Sequence, residues 1–464
     1  MVHCKKSGMP STGSNALEAL SDLLSQDPVP KELEITILPF DDDNDTADAS
    51  SFMKEGIHLG IHAPHVGKLA KEFREIYYDC RTRFISSDDG DTQISPCSYQ
   101  KHFMESVSCL LLLCPDHATA FADRRRLLML HQQQIVHTDT DIAPAESYIR
   151  FWESEIGFMN MLFTQHSKCP NAWAHRRWIC KQMLKSLNEL IFSDLDLASE
   201  TLMSWTTREI AICCVIAEKY PKNYYAWTHR SFITRTLANL IQCETQNKKT
   251  ETWDHADILS LLKTEVDSIE PWLQRHVSDH SAAHYGGEVI NLWLQVGNLN
   301  QGDPVINTSN IDLLVWKLDA IQEKLKGSQE LISKFPSHEV IWVWRRICSR
   351  LFLEHADEES GMNYVQEETK ACTKTFTMED ESESLTTSRS HHMFSYVLWI
   401  LKYAYSRWNK CERQVQMIRS ELISLEGRVS CLQSQSSNSV CNLSIERIWN
   451  IIGHAATDNE DVRR

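Results

Sequence analysis

Residues 221–230 read Pro-Lys-Asn-Tyr-Tyr-Ala-Trp-Thr-His-Arg. Pro221 cannot continue a helix, because it lacks an N–H and clashes with the preceding turn, so it marks a break. Asn223 is a favoured N-cap residue and predicts that a new helix opens just after it. In that helix Trp227 and Arg230 are three residues apart and share one face. Ala226, Ile233, Leu237 and Leu240 continue an apolar stripe. Upstream, Ile210, Cys213, Cys214 and Ala217 recur at offsets 0, 3, 4 and 7, which predicts a second amphipathic helix. Two facing stripes joined by a short break make an antiparallel helical hairpin. A single hairpin cannot bury both of its faces, so neighbouring copies must stack.

The unit recurs. Pro115 to Arg125 carries Phe121 in the anchor slot, followed by Arg124 and Arg125. Ser167 to Arg177 carries Trp173, Arg176 and Arg177, and Pro336 to Arg346 carries Trp342, Arg345 and Arg346. A degenerate copy, Val277 to Gly287, has Ala283 as its anchor. Anchors at 121, 173, 227, 283 and 342 are spaced by 52, 54, 56 and 59 residues. A bare helix pair needs about 34 residues, so the surplus predicts insertions around 188–200, 243–255 and 297–310. The expected fold class is all-α, a curved solenoid of stacked antiparallel helical hairpins.

Around this core the chain divides into further expected segments. Residues 1–60 read as a flexible N-terminal segment, in which Glu32–Phe40 forms either one short strand or an extended tether. The Asp-rich patch after it, Asp41 to Asp48, reads as a solvated loop, since it lacks the Gly and distal Glu of a calcium loop. Residues 61–353 form the solenoid. Residues 354–383 hold ten acidic and two basic residues, so 354–390 reads as an acidic flexible insertion. Residues 391–464 supply C-terminal helices and a polar tail, with Phe394, Leu398, Leu401 and Tyr405 in helical register and a short helix over Ser444–Ile452.

A formal net charge of −16 argues against a nucleic-acid partner. The 15 cysteines are odd in number, form no C-x-x-C, and often lie in apolar helical runs. Such thiols are expected to be reduced and buried. Met1 to Lys5 lacks the apolar core of a signal peptide, and no apolar run is long enough to span a bilayer. A cytoplasmic location is therefore expected.

The P-x-N-Y-x-A-W-x-H-R unit of residues 221–230, with its weaker echoes over roughly 99–353, resembles the α subunits of protein prenyltransferases. The resemblance implies a scaffold subunit that wraps a β subunit, the Rab-type β subunit being favoured, with geranylgeranyl favoured over farnesyl. The β subunit would carry the catalytic zinc, and this chain no cofactor and no catalytic residue of its own. The implied ligands are an isoprenoid diphosphate at the shared site and an acceptor protein with a C-terminal cysteine. Carried over by motif position, the lysine that approaches the diphosphate is Lys168. Lys222, Tyr224 and Tyr225 belong to the loop beside the shared site. Asn171 stands where some members use a Gln that meets the substrate carboxylate. Cys169 and Pro170 replace the usual Asn and Tyr, a departure in the local backbone.

Other readings of these residues remain open. Trp173, Trp227 and Trp342 fit core packing. The Arg pairs (Arg176 and Arg177, Arg230, Arg345 and Arg346) fit either ion pairs between repeats or contacts to a partner. A helical scaffold without prenyltransferase activity is the chief alternative, and a stand-alone metal hydrolase ranks last. His276, His280 and His284 sit four apart, so one helix would present all three, and His58, His62 and His65 cluster near a Gly and a Pro. The first set has no carboxylate or Cys at tight ligand spacing, and the second no nearby Cys, to complete a zinc site. His338-Glu339 lacks the second His of H-E-x-x-H, since position 342 is Trp. No phosphate loop, dinucleotide fingerprint or nucleophile elbow is present.

Overall fold

Helices form where apolar stripes recur at helical spacing, and they break where Pro or a capping residue interrupts them. In the computed structural model the described residues are 34–38, 52–55, 58–87, 96–135, 144–247, 253–300, 310–375, 383–408 and 412–433. Three strands, β1 (Glu34–Leu38), β2 (Phe52–Glu55) and β3 (His58–His62), form a sheet of order β1-β3-β2. β1 pairs with β3 in parallel, and β2 pairs with β3 antiparallel. α1 (Ala63–Ser87) follows. Six hairpins come next: α2 (Pro96–Leu113) with α3 (Ala118–Ile135), α4 (Pro144–His166) with α5 (Pro170–Leu190), α6 (Leu195–Lys219) with α7 (Tyr224–Asn247), α8 (His255–Arg275) with α9 (His280–Asn300), α10 (Asn310–Lys334) with α11 (Glu339–His355), and α12 (Glu358–Thr375) with α13 (Glu383–Trp408). α14 (Glu412–Gln433) is the last described element.

The chain falls into two compact units, residues 1–236 with 248–254, and residues 237–247 with 255–464. In the first, the hairpins α2/α3 and α4/α5 and helix α6 pack in succession around Phe103, Trp152, Phe163, Trp173 and Trp205, all fully buried. In the second, α8 to α14 enclose Ile269, Val289, Trp344, Leu351 and Tyr396. The all-α hairpin class therefore holds within each unit, with the small sheet added to the first.

The turns of the first five hairpins are short and built alike. The residue four before each anchor takes the N-cap slot. Asn223 Oδ1 accepts from Tyr225 N–H and Ala226 N–H at 3.2 and 3.3 Å, and Asp279 Oδ1 accepts from Ala282 N–H at 3.2 Å. His117 Nδ1 does the same for Ala120 N–H at 3.1 Å. In the second hairpin that slot is Cys169, which offers no side-chain cap, but Pro170 follows at the first helical position. Pro needs no N–H acceptor there, and its fixed φ suits the first turn. The Cys-Pro departure therefore preserves the helix start.

Several expectations need correction. The surplus between the first anchors lies in long helices: α4 to α7 run 23, 21, 25 and 24 residues, while residues 248–252 and 301–309 of the insertions expected at 243–255 and 297–310 lie outside the described residues. Only Ile191–Asp194 separates α5 from α6 within 188–200. The segment 354–390, expected as a flexible insertion, instead holds α12 and the start of α13, a sixth hairpin. Its acidic residues flank a buried line of Met362, Val365 and Thr369, so one face is solvated and the other packs. Gly361 lets the Trp408 ring approach, since a Cβ there would lie 2.3 Å from Trp408 Cη2. Residues 1–60, expected as flexible, contain β1 and β2, because Ile35 and Ile61 bury the sheet against the helices. The Asp-rich patch and the helix expected over Ser444–Ile452 lie outside the described residues.

Candidate functional site

The repeat chemistry begins at the first Arg of each pair. Arg176 is 1% exposed and donates to Glu209 twice, Nε to Oε2 at 2.8 Å and Nη2 to Oε1 at 2.7 Å. His229 Nε2 meets the same Glu209 Oε2 at 2.8 Å, and Arg176 Nη1 donates to Asn160 Oδ1 at 2.7 Å. One hairpin earlier, Arg124 pairs with Glu155 at 2.6 and 2.7 Å, His175 Nε2 meets Glu155 Oε1 at 2.8 Å, and Arg124 Nη1 donates to Ser108 Oγ at 2.7 Å. In the sixth hairpin Arg345 pairs with Glu368, Tyr396 O–H donates to Glu368 Oε2 at 2.7 Å, and Arg345 Nη1 donates to Ser328 Oγ at 2.9 Å. Each Arg thus ties its own first helix to the Glu of the next hairpin. Arg230 is likewise buried, and its Nη1 donates to Cys214 Sγ at 2.9 Å.

Within this staple, Arg176 and His229 hold the Glu209 carboxyl down at about 2, against the burial that alone would raise it. Burial keeps the His229 imidazole below its usual value and pushes the Cys180 thiol well up. Cys180, Glu209 and His229 bring their ligand atoms within 4.8 Å of one another. They do not suit a metal: both Glu209 oxygens already serve a guanidinium cation, and a high-lying thiol gives up its proton poorly. Spacing alone did not expose the Glu partners. The signal was a Glu 20 residues before the H-R histidine in two hairpins.

The second Arg bears on the clamp only in the first pair, where Arg125 Nε donates to His175 Nδ1 at 3.2 Å. Arg177 and Arg346 are half-buried, and Arg346 Nη2 donates to Ser395 Oγ at 2.7 Å. The anchors Trp173, Trp227 and Trp342 are buried. Trp173 Nε1 donates to Ser167 carbonyl at 2.8 Å, and Trp342 Nε1 to Pro336 carbonyl at 2.7 Å. These two anchors therefore also close the turns before them. The run His276, His280 and His284 is split between two elements. His276 lies in the turn after α8 and stacks on Trp272 at 4.3 Å, whereas His280 opens α9, so one helix does not present all three. His58 and His62 are on β3, and His65 is in the first turn of α1.

Successive turns of the first unit meet along one edge. Lys168 Nζ donates to Pro221 carbonyl at 3.4 Å, and Asn223 Nδ2 donates to Ser167 carbonyl at 2.9 Å. Lys168 and Lys222 are exposed, and Tyr224 is 63% exposed with its ring 5.7 Å from that of half-buried Tyr225. Lys222 adopts φ 60°, the left-handed region, to turn the chain into the cap at Asn223. The structure thus gathers Lys168, Lys222, Tyr224 and Tyr225 on two adjoining turns. Asn171 goes elsewhere: its Nδ2 donates to Asp116 carbonyl at 3.1 Å, in the first hairpin turn.

The family model described as protein prenyltransferase alpha subunit repeat matches residues 152–183 and 206–237. Those spans contain the Glu155 and Glu209 staples with their histidines. Two stretches of the chain therefore match this repeat. It is 28% identical over 278 residues to protein prenyltransferase alpha subunit repeat-containing protein 1-A of Xenopus laevis, covering 55% of this chain and 56% of that protein. To protein prenyltransferase alpha subunit repeat-containing protein 1 of Homo sapiens it is 26% identical over 271 residues, covering 54% and 58%. It is also 24% identical over 164 residues to geranylgeranyl transferase type-2 subunit alpha of Saccharomyces cerevisiae, covering 35% and 41%. The matched region spans about half the length of the curated relatives. Among the described residues, no helix of these repeats is long and apolar enough to cross a membrane.

Proposed function

We propose that this chain is the α-type subunit of a heterodimeric protein prenyltransferase, which holds a β subunit and offers cations to an isoprenoid diphosphate. The observation that carries this reading is the shared turn edge, where Lys168 reaches Pro221 and stands beside Lys222 and Tyr224. Fixed cations at such an edge would stabilise charge gathering on a departing diphosphate. The similarity to a geranylgeranyl transferase type-2 alpha subunit supports geranylgeranyl as the lipid and a type-2, Rab-type β subunit as the partner. Zinc on that partner would keep the acceptor's C-terminal cysteine as a thiolate. This chain's own part is to bind the partner, position the lipid diphosphate and leave the chemistry to the β subunit, in the cytoplasm.

Co-expression with a type-2 β subunit tests the reading. A stable heterodimer that transfers geranylgeranyl to a cysteine acceptor is the expected result, and absence of both complex and transfer would sink it. Lys168→Ala in that heterodimer should slow transfer about tenfold or more with the complex intact, as for loss of one charge-stabilising donor. A scaffold without transferase activity is the second reading, and Asn171 favours it. Its amide serves Asp116 in the repeat stack, so it is not left to meet a substrate carboxylate.

A further inference from the structure

Strand β1 is fastened to the first unit by its main chain. Ile35 N–H donates to Thr164 Oγ1 at 3.0 Å, and Gln165 Nε2 donates to Ile35 carbonyl. Main-chain groups alternate between the two edges of a strand, so in a parallel ladder every second residue bonds the neighbouring strand. Ile35 spends both its groups on α4. Thr36 therefore bonds β3, and Ile37 presents its N–H and C=O on the same outer edge as Ile35. On that edge Ile37 has no hydrogen-bond partner among the described residues. Ile35 is buried, whereas Ile37 is 44% exposed. The last turn of α4 thus closes the edge at Ile35 and leaves it open at Ile37.

The Ile35 end of β1 is linked to the turn cluster through Thr164 and Tyr220. The Thr164 carbonyl accepts the Tyr220 hydroxyl, and Tyr220 precedes Pro221, whose carbonyl accepts from Lys168. One run of contacts therefore joins β1 to the turns that carry Lys168 and Lys222. An unpaired strand edge is matched by another extended backbone, since only a peptide offers alternating donors and acceptors at that spacing. The lysines of those turns favour a peptide that ends in an anion.

We propose that the β1 edge at Ile37 receives an extended peptide, the C-terminal tail of the acceptor protein, as an added strand whose terminal carboxylate is drawn to Lys222. This subsite rests on the α-subunit reading for the identity of its peptide, but not for the geometry that binds it. Ile37 N–H would donate to a carbonyl of the tail, and Ile37 carbonyl would accept from a tail amide.

The test is fluorescence anisotropy of a labelled hexapeptide, Thr-Val-Thr-Ile-Ser-Cys with a free carboxylate, titrated with the full chain. Ile37→Pro removes the outward N–H and spares the β3 ladder, where an edge strand tolerates Pro. It should weaken binding about fivefold to tenfold, the equivalent of one main-chain hydrogen bond. N-methylating the peptide amides should cost a similar factor on the native chain and little more on Ile37→Pro. A C-terminal amide should weaken binding to the native chain but not to Lys222→Ala. The N-methylated peptide keeps the test independent of how Ile37→Pro folds. Failure of the hexapeptide to bind, or affinity unmoved by both Ile37→Pro and N-methylation, overturns the proposal. The expected pattern in a chain that transfers no lipid with any β subunit would support the strand edge and reject the α-subunit reading alone.

Discussion

The third and fifth hairpins solve the same packing problem with opposite chemistry. At the third, Arg176 of α5, Glu209 of α6 and His229 of α7 form a buried ionic clamp. The corresponding slots of the fifth are Gly286 of α9, Lys324 of α10 and Trp344 of α11, with Lys324 again 20 residues before Trp344. All three members have changed together. The guanidinium is gone, and the Trp344 ring fills its place: a Cβ on Gly286 would lie 2.6 Å from Trp344 Cζ3. Lys324, with no Arg to oppose and no His to hold, pairs instead with Asp267 at 2.8 Å. The fourth hairpin stands between the two designs, since Glu265 keeps its slot and Tyr285 O–H replaces the His donor at 2.5 Å. A buried ion pair and an apolar plug can thus serve one slot, provided no member is left half-matched. Desolvating a carboxylate is costly unless each oxygen is answered, whereas a large ring needs only space.

The contrast can be broken most severely at the clamp. Arg176→Met should destabilise the fold by about 3–5 kcal/mol, because it strands the Glu209 carboxylate in the core, and urea unfolding monitored by circular dichroism would measure it. Adding Glu209→Leu to that variant should recover much of the loss, as apolar replacement of a whole buried set often does. In the fifth hairpin Trp344→Ala should cost a comparable 3–5 kcal/mol by opening a cavity over Gly286, and no second-site charge change should recover it. The same urea titration separates the two cases.

Acid should strike the two regions differently. Glu209 lies at about 2 in the fold against 4.5 for the free group, so its contribution is fully present above about pH 4.5 and is lost as pH falls toward 2. That shift corresponds to about 3 kcal/mol. His229, held neutral by burial, adds a loss that begins as pH falls below 6.5, where the unfolded chain takes up a proton first. In the second unit burial raises Glu270, so its contribution has the opposite sign and fades as pH rises above 4.5. Hydrogen exchange followed from pH 7 to 4 should therefore show the α5–α6 amides losing protection before those of α8–α11. Smallest of all is Gly286→Ala. Its Cβ would meet Trp344 Cζ3 at 2.6 Å and Ile269 Cγ2 at 2.8 Å, so overpacking should cost about 1–3 kcal/mol. A shift of the thermal midpoint would record it.

Much of this was legible in the chain before folding was considered. The anchors at 173, 227 and 342, the cap at Asn223 and the facing stripes of α6 and α7 follow from local rules of spacing and capping. The sixth hairpin was legible only in its second helix. Its anchor slot holds Phe394 with Val397 and Leu398 where the Arg pair would stand, and α12 hides a three-residue buried line among acids. The clamps were half legible: the H-R dipeptides stand out, but their Glu partners are ordinary residues in amphipathic helices until a neighbour is stacked on them. Of the candidate site, the lysines and tyrosines of the turns were read from motif position, whereas the approach of β1 to Thr164 crosses 129 residues of chain and left no local trace.

What the sequence by itself determined is the brick: a helix, a short turn and a second helix, because hydrogen bonds, caps and stripes within a few residues fix each one. What only the tertiary structure decided is how bricks answer one another. It settled whether a buried charge meets a carboxylate or yields to an indole, which turns adjoin, and where a strand from the N-terminal part of the chain finds its footing. Those choices depend on groups dozens of residues apart whose desolvation is balanced only once they touch.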